Sequence, residues 1–507
     1  MSRGIGYWLT RRETLTPEKE AVVDGQRRLT YKELNCRVNR LARVIAGQGC
    51  AYGDRIAVLA YNCSQYVEVI MAAAKLGLIL VPLNWRLTAA ELAFQVTDSG
   101  VGLLIFDPDL AALAGDLCRS SEISKTLVLG PENAPGTGAP GCEALMAGHS
   151  DAEPQPDKAP DADTPHIIMY TAGTTGKPKG AVLSQGAAFW NTLNLEALDF
   201  TSRDRDLLVL PMFHIGGIGL FTLPMLYHGA TVVIMRTFDP ADCLRLLAQE
   251  RISLFFGVPA IFQFLIQHPD FRPEAFAGVR LVMSGGAPLP VSIVRQYHEA
   301  GIVLQQGFGM SEAAPSIATL PRELALTKAG SIGRAVFHLE ARIVDDELNT
   351  LPAGEVGELV MRGPNLMQGY WNRPDANEEA FRGGWFHSGD LAYMDEDGDL
   401  FIVDRKKDMF ISGGENVYPA EVENAIFELP QVSEAAVIGI KDVKWGEVGK
   451  AVVVLKAGHQ LTAEKLMDHL EGRLARYKIP RSVEFIEALP RNAAGKVLKT
   501  RLREQFK

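Results

Sequence analysis

An α/β fold in two parts is what this sequence predicts, and three observations predict it. Helix and strand signals alternate from about residue 30 to 82 and again from Ile167 to about Leu320. Between Ala341 and Val403 the pattern changes to short strands broken by Asp-Gly and Ala-Gly turns, as in DEDGDLFIVD. After Lys407 comes a compact stretch of about a hundred residues, enough to form a domain of its own.

The first helix is announced by Thr30 and Glu33 in TYKE. In such a capping box the hydroxyl accepts from the third backbone N–H while the carboxylate reaches back. That helix should end near Gly47 or Gly49. Arg55 to Ala60 reads as a buried strand, Ser64 to Leu76 as a helix and Leu78 to Pro82 as the next strand. Residues 131–165 are rich in Pro, Gly, Ala and Asp without periodicity, which predicts a surface connection between two subdomains. His166 to Tyr170 and Ala181 to Leu183 read as strands on either side of a glycine-rich turn. The tail predicts a helix over 419–428, strands near 432–440 and 450–455, a helix over 462–474 and a strand over 482–487. Internal repeats are absent from the sequence.

Composition narrows the function. The 507 residues are 47% hydrophobic and 22% charged, as in an ordinary soluble globular protein. A formal net charge of −10 argues against a general nucleic-acid binder, which needs a basic surface. Cys36, Cys50, Cys63, Cys118, Cys142 and Cys243 form no CxxC pair, so neither a zinc site nor a disulfide framework is expected. The N-terminus lacks a signal-peptide core, and no apolar run is long and pure enough for a membrane span. A soluble cytoplasmic protein is expected, with peripheral membrane contact left open.

The most informative stretch is Tyr170 to Gly180, YTAGTTGKPKG. Gly173, Gly176 and Gly180 let the backbone approach an anion, and successive amide hydrogens form a nest for phosphate oxygens. Thr171, Thr174 and Thr175 add hydroxyl donors, and Lys177 and Lys179 add positive charge. The spacing is not that of a Walker A loop, because only two residues separate Gly173 from Gly176 and Pro178 follows Lys177. Taken alone, such a loop is as readily a plain hairpin turn. Further segments stand with it: PMFHIGG at 211–217, SGGAPLP at 284–290, QGFGMSE at 306–312, GWFHSGD at 384–390, DRKKD at 404–408, ISGGENVYP at 411–419 and PRNAAGKVLK at 490–499.

In this order and spacing the segments resemble the adenylate-forming superfamily, which includes acyl- and aryl-CoA synthetases, the adenylation domains of peptide synthetases and the beetle luciferases. The resemblance covers nearly the whole chain. It implies a large N-terminal AMP-binding domain (1–406), built of α/β subdomains with a small β-rich subdomain, and a mobile, small α+β C-terminal domain (407–507), hinged at Lys407. It further implies ATP, Mg²⁺ and coenzyme A as cofactors or co-substrates and a small carboxylic acid as partner, with a homodimer among the open assemblies. Thr171, Ala172, Gly173, Thr174, Thr175, Gly176, Lys177 and Lys179 would hold phosphates. Gly285, Gly286, Ala287 and Pro288 would lie against adenine and the acyl pocket. Gln306, Gly307, Phe308 and Gly309 would form a second nucleotide segment, with Phe308 stacked on adenine. Ser311, where relatives usually have Thr, would bond the α-phosphate, and Glu312 with Thr171 would hold Mg²⁺. Asp390 would accept from both ribose hydroxyls, with Arg405 also on the nucleotide. Lys496 would be the main catalytic residue, neutralising the α-phosphate and the attacking carboxylate, and His214 would support it. Gly413 and Gly414 would line a thiol tunnel, with Trp445 and Lys478 as weaker candidates for CoA contact.

His214 stands where amino-acid-activating relatives carry an aspartate for the substrate ammonium, so an α-amino acid is not expected. The apolar run HIGGIGLFTLP, with Phe189 and Trp190 upstream, suits a fatty or an aromatic acid. The pattern looks nearest to bacterial fatty-acyl-CoA synthetases for medium to long chains. An aryl-CoA synthetase, a stand-alone enzyme loading a carrier protein, a luciferase-like oxygenase and a non-catalytic nucleotide-binding protein are the alternatives.

Overall fold

The computed structural model describes residues 4–130, 138–171, 178–471, 473–491 and 497–506. Two large sheets form the body of the large domain. One has nine strands in the order Arg334–Ala335, Ser316–Thr319, Leu304–Gly309, Leu281–Ser284, Leu254–Gly257, Arg205–Leu208, Thr231–Ile234, Glu20–Asp24 and Arg27–Thr30. From Leu304–Gly309 to Glu20–Asp24 every pairing is parallel. The C-terminal ends of those strands therefore open on one edge, where α/β sheets bind their ligands.

The second sheet has seven strands in the order Gly369–Tyr370, Lys179–Ser184, Pro165–Thr171, Ile79–Pro82, Arg55–Leu59, Val101–Phe106 and Lys125–Val128. One continuous apolar core joins the two sheets through the helices Tyr31–Gly47 and Ser64–Leu76, and a second core covers the other face of the seven-stranded sheet. A four-stranded antiparallel sheet, Glu340–Val344, Gly357–Arg362, Phe386–Met394 and Leu400–Arg405, forms the β-rich part. Beyond it, the sheet built on Val432–Asp442 and Gly446–Leu455 carries its own cores on both faces. This is the large α/β body and small α+β unit that the sequence predicts.

Local signals translate directly. Thr30 caps the helix Tyr31–Gly47 with both halves of the capping box made. The helix Ser64–Leu76 ends at Gly77, in the left-handed conformation that glycine adopts without strain. Two expectations change. Residues 131–165 were expected as a surface connection or linker, yet in the described part, 138–165, Cys142–Met146 is helical and Glu143 and Glu153 are bound to the body by charge. Arg37 pairs with Glu143 at 2.5 Å, and the buried Lys75 ammonium pairs with Glu153 at 2.8 Å. The helix expected over 462–474 stops at Leu470, where Glu471 turns extended ahead of a glycine in the sequence. All six cysteines are free, and among the described residues no helix is long and apolar enough to cross a membrane.

His166 is fully enclosed on the strand leading to the glycine-rich turn, and neither ring nitrogen has a hydrogen-bond partner among the described residues. Burial pushes its pKa down from 6.5 to about 4. On acidification the unfolded chain is protonated first, so this stability is present above pH 6.5 and lost as pH falls towards 4. The loss amounts to about 3 kcal/mol over that window. His166→Leu should therefore flatten the fall in unfolding free energy between neutral pH and pH 4.5, measured by urea unfolding.

Candidate active site

Three of the sequence segments leave the same edge of the nine-stranded sheet. Pro211–Gly217 follows the strand Arg205–Leu208, residues 285–290 follow Leu281–Ser284, and 310–315 follow Leu304–Gly309, whose own end carries Gln306 to Gly309. Ser284 and Gln306 are paired in register. The Ser284 hydroxyl and the Gln306 Oε1 are both buried without a hydrogen-bond partner among the described residues. Unpaired buried polar atoms are rare in folded proteins, and here two stand side by side at the rim. Gly285 packs on the neighbouring strand so closely that a Cβ would lie 2.6 Å from the Gly307 carbonyl oxygen. Gly286, Ala287 and Pro288 are exposed, and Phe308 is half-buried against the core.

The segment with His214 is tied down at its start. Asn62, a residue that the sequence gives no reason to single out, donates to Leu210 O at 2.9 Å and accepts from Met212 N at 2.8 Å. His214 stacks edge-on against Phe213 at 4.6 Å and is followed by a π-helical turn, Gly216–Leu220. Such turns recur at functional sites.

On the seven-stranded sheet, Thr171 and Lys179 face each other as the last and first residues of the hairpin strands. Ala172, Gly173, Thr174, Thr175, Gly176 and Lys177 lie outside the described residues. The short strand Gly369–Tyr370 pairs with Lys179–Ser184 and brings Tyr370 to this point. The Tyr370 hydroxyl donates to Glu312 Oε1 at 2.9 Å, and the Lys179 ammonium lies 5.1 Å from the centre of its ring. Tyr370 thus joins the hairpin to Glu312 although sequence reasoning passed over it. Burial, reinforced by the Glu312 charge, raises its pKa far above 10, so it stays a donor. Ser311 opens the 3₁₀ turn Ser311–Ala313 beside them.

Asp390 and Arg405 are opposite each other on the strands Phe386–Met394 and Leu400–Arg405, with Arg405 Nε 2.5 Å from Asp390 Oδ1. Next to them Lys406 reaches Asp346 at 2.8 Å, and Lys407 is exposed. Asp404 Oδ2 accepts from Ala420 N, the second residue of the helix Pro419–Phe427. Burial favours neutral acids here, yet Glu423 and Asp404 surround Lys499, and their charges hold that buried ammonium protonated despite desolvation. In the small domain a Cβ on Gly413 would meet the Trp445 ring at 2.7 Å, while Gly414 faces open space. A shallow hollow of about 640 Å³ lined by Ile411, Val443 and Trp445 adjoins it. Lys478 is bound to Glu421 at 2.7 Å, and Lys496 lies outside the described residues. The carboxylates Asp395, Asp397 and Asp399 gather around Lys328, whose ammonium fills that position.

The comparisons with known proteins agree with this fold. The AMP-binding enzyme family matches residues 9–371, and the AMP-binding enzyme C-terminal domain matches residues 421–496. The chain belongs to this family. It is 41% identical to a feruloyl-CoA synthase of Amycolatopsis over 100% of this chain and 99% of that protein. It is 40% identical to an indoleacetate–CoA ligase of Aromatoleum aromaticum (99% and 98%) and 38% to a long-chain-fatty-acid–CoA ligase of Mycobacterium tuberculosis (99% and 99%). The o-succinylbenzoate coenzyme A synthetase of Bacillus subtilis, solved with ATP and magnesium ion, superposes with a TM-score of 0.87 at 33% identity over 98% of each chain. The protein is an AMP-forming, ATP-dependent acid–CoA ligase.

The residues present fit a magnesium ion. Glu312 is 7% exposed, and among the described residues its carboxylate takes one hydrogen bond, from the neutral Tyr370. A buried carboxylate so placed suits a hard cation that completes its shell with phosphate oxygens and water. When bound, the ion supplies charge neutralisation of the phosphates. Tyr370→Phe removes the hydrogen bond that orients Glu312 and should raise the Mg²⁺ concentration for half-maximal pyrophosphate release on the order of 10-fold. An Mg²⁺ titration at saturating ATP checks this.

Proposed function

We propose that this enzyme activates an aryl-substituted carboxylic acid, of the hydroxycinnamate or arylacetate kind, as its CoA thioester. The observation that carries the reading is the acid-side turn. In the turn Gly216–Leu220, Gly217 and Gly219 lie directly on the backbone of Pro211 and Ala314, so bare glycine backbone stands there in place of side chains, with the ring of Phe213 just ahead in the chain. A planar ring fits such a wall better than a long flexible chain, whose burial requires a deep apolar channel and the ordering of many bonds. The feruloyl and indoleacetate relatives, both named for aryl acids, support it against the medium- to long-chain fatty acid expected from sequence.

In this reading the acid carboxylate attacks the α-phosphorus of ATP, releasing pyrophosphate and forming an acyl-adenylate. The CoA thiol then displaces AMP. Positioning and charge carry the first step, since no enzyme nucleophile is needed. Residues 171–179 hold the phosphates, Ser311 bonds the α-phosphate, and Lys496 neutralises the two approaching anions, with His214 beside the acid. Asp390 holds the ribose, with Arg405 alongside, and the faces of Gly285–Pro288 and Gln306–Gly309 hold adenine. Lys407 is the hinge between 1–406 and 407–507. Gly413, Gly414 and Trp445 line the path of the thiol.

The test is product analysis by mass spectrometry with ATP, Mg²⁺ and CoA against ferulate, cinnamate, indoleacetate, benzoate, octanoate and palmitate. An aryl acid should be preferred over palmitate by at least about 10-fold in kcat/KM, the effect of roughly 1.4 kcal/mol of differential transition-state binding. Palmitate or octanoate as best substrate overturns the reading, and acyl-AMP without thioester redirects it to a carrier protein.

A further inference from the structure

We infer that Asn191 is a positioning residue that fixes the acid-side turn against the nucleotide-side turn. It lies on the helix Gln185–Asn194, which follows directly from the hairpin strand Lys179–Ser184, and is 1% exposed. Its carboxamide uses both ends. Nδ2 donates to Gly219 O at 2.7 Å, inside the π-helical turn that follows His214. Oδ1 accepts from Ser316 N at 2.9 Å, where the turn carrying Ser311 and Glu312 returns to the sheet.

The two turns also touch directly. A Cβ at Gly219 would lie 2.7 Å from Ala314 O and 3.0 Å from the Pro315 ring, so backbone meets backbone with no space for a methyl group. Asn365 closes the far side, donating to Ala313 O at 2.7 Å and to Ser316 O at 2.9 Å. One turn further along the same helix, Asn194 accepts from His338 N at 2.8 Å. The helix is thus a post to which the phosphate hairpin, the acid-side turn and the nucleotide-side turn are all fastened. In-line attack requires the acid oxygen and the α-phosphorus to be held roughly 3–3.5 Å apart, within about 0.5 Å of the productive geometry. A single buried amide that binds both turns sets that separation without touching either substrate.

The carboxamide is asymmetric, and this gives a directional test. Asn191→Asp keeps an acceptor for Ser316 N but sets a carboxylate oxygen against Gly219 O, so only the acid-side turn is pushed away. The expected result is a rise of about 10-fold or more in KM for the acid, with KM for ATP within about twofold. The acid used is whichever one of the panel the unaltered enzyme turns over fastest, so the test stands whether or not the aryl reading holds. Gly219→Ala displaces the same turn by a separate route and should give the same split. Equal rises in both KM values, or lower kcat with both KM values unchanged in proportion to the folded fraction by circular dichroism, would mean a merely structural role and overturn the inference. An unaltered acid KM in both variants overturns it as well.

Discussion

Backbone meeting backbone at one edge of the nine-stranded sheet is the constraint on which the rest of this structure depends. Gly285 lies on the Gly307 carbonyl and Gly219 on that of Ala314, at distances that exclude any side chain. These contacts allow loops from separate strands to form a continuous wall instead of separate turns. Parallel pairing supplies the common edge, and the buried amides of Asn62, Asn191 and Asn365 satisfy the loop backbone where regular strand bonding stops. A polar group that ends a strand without such a partner would cost about 1–3 kcal/mol.

Activation of a carboxylate by ATP asks an enzyme mainly to bring two anions together, and the arrangement meets that demand in parts. The glycine-rich hairpin comes from the seven-stranded sheet, while the turn after His214 and the segments 285–290 and 306–312 come from the nine-stranded one. Tyr370 crosses from the first to the second by bonding Glu312. Asp390 and Arg405 belong to the β-rich part, and contacts such as Asp404 with Ala420 continue from there into the small domain. The proposed site therefore draws on every layer of the protein, in keeping with motifs that span most of the chain.

What was legible in the sequence was local. The capping box at Thr30, the helix Ser64–Leu76 and the turns between 341 and 403 depend on neighbours a few residues away. The segments PMFHIGG, SGGAPLP and QGFGMSE were legible as chemistry only through their resemblance, in order and spacing, to the adenylate-forming superfamily. What was not legible depends on distant partners. Nothing local makes Glu20–Asp24 a neighbour of Thr231–Ile234, or Lys75 the partner of Glu153 across the segment read as a linker. Tyr370 and Asn191 look like an ordinary aromatic and an ordinary helix amide until the fold brings Glu312, Gly219 and Ser316 to them.

The central claim is that close contact between these loops builds the nucleotide site, and Gly285→Ala tests it most directly. Its added Cβ would sit against the Gly307 carbonyl and force the segments 285–290 and 306–309 apart. Calorimetric titration of the folded variant with ATP and Mg²⁺ should give a Kd weaker by about tenfold or more, a loss of roughly 1.4 kcal/mol. An ATP affinity equal to that of the unaltered enzyme would contradict the account, because the contact would then be incidental to nucleotide binding.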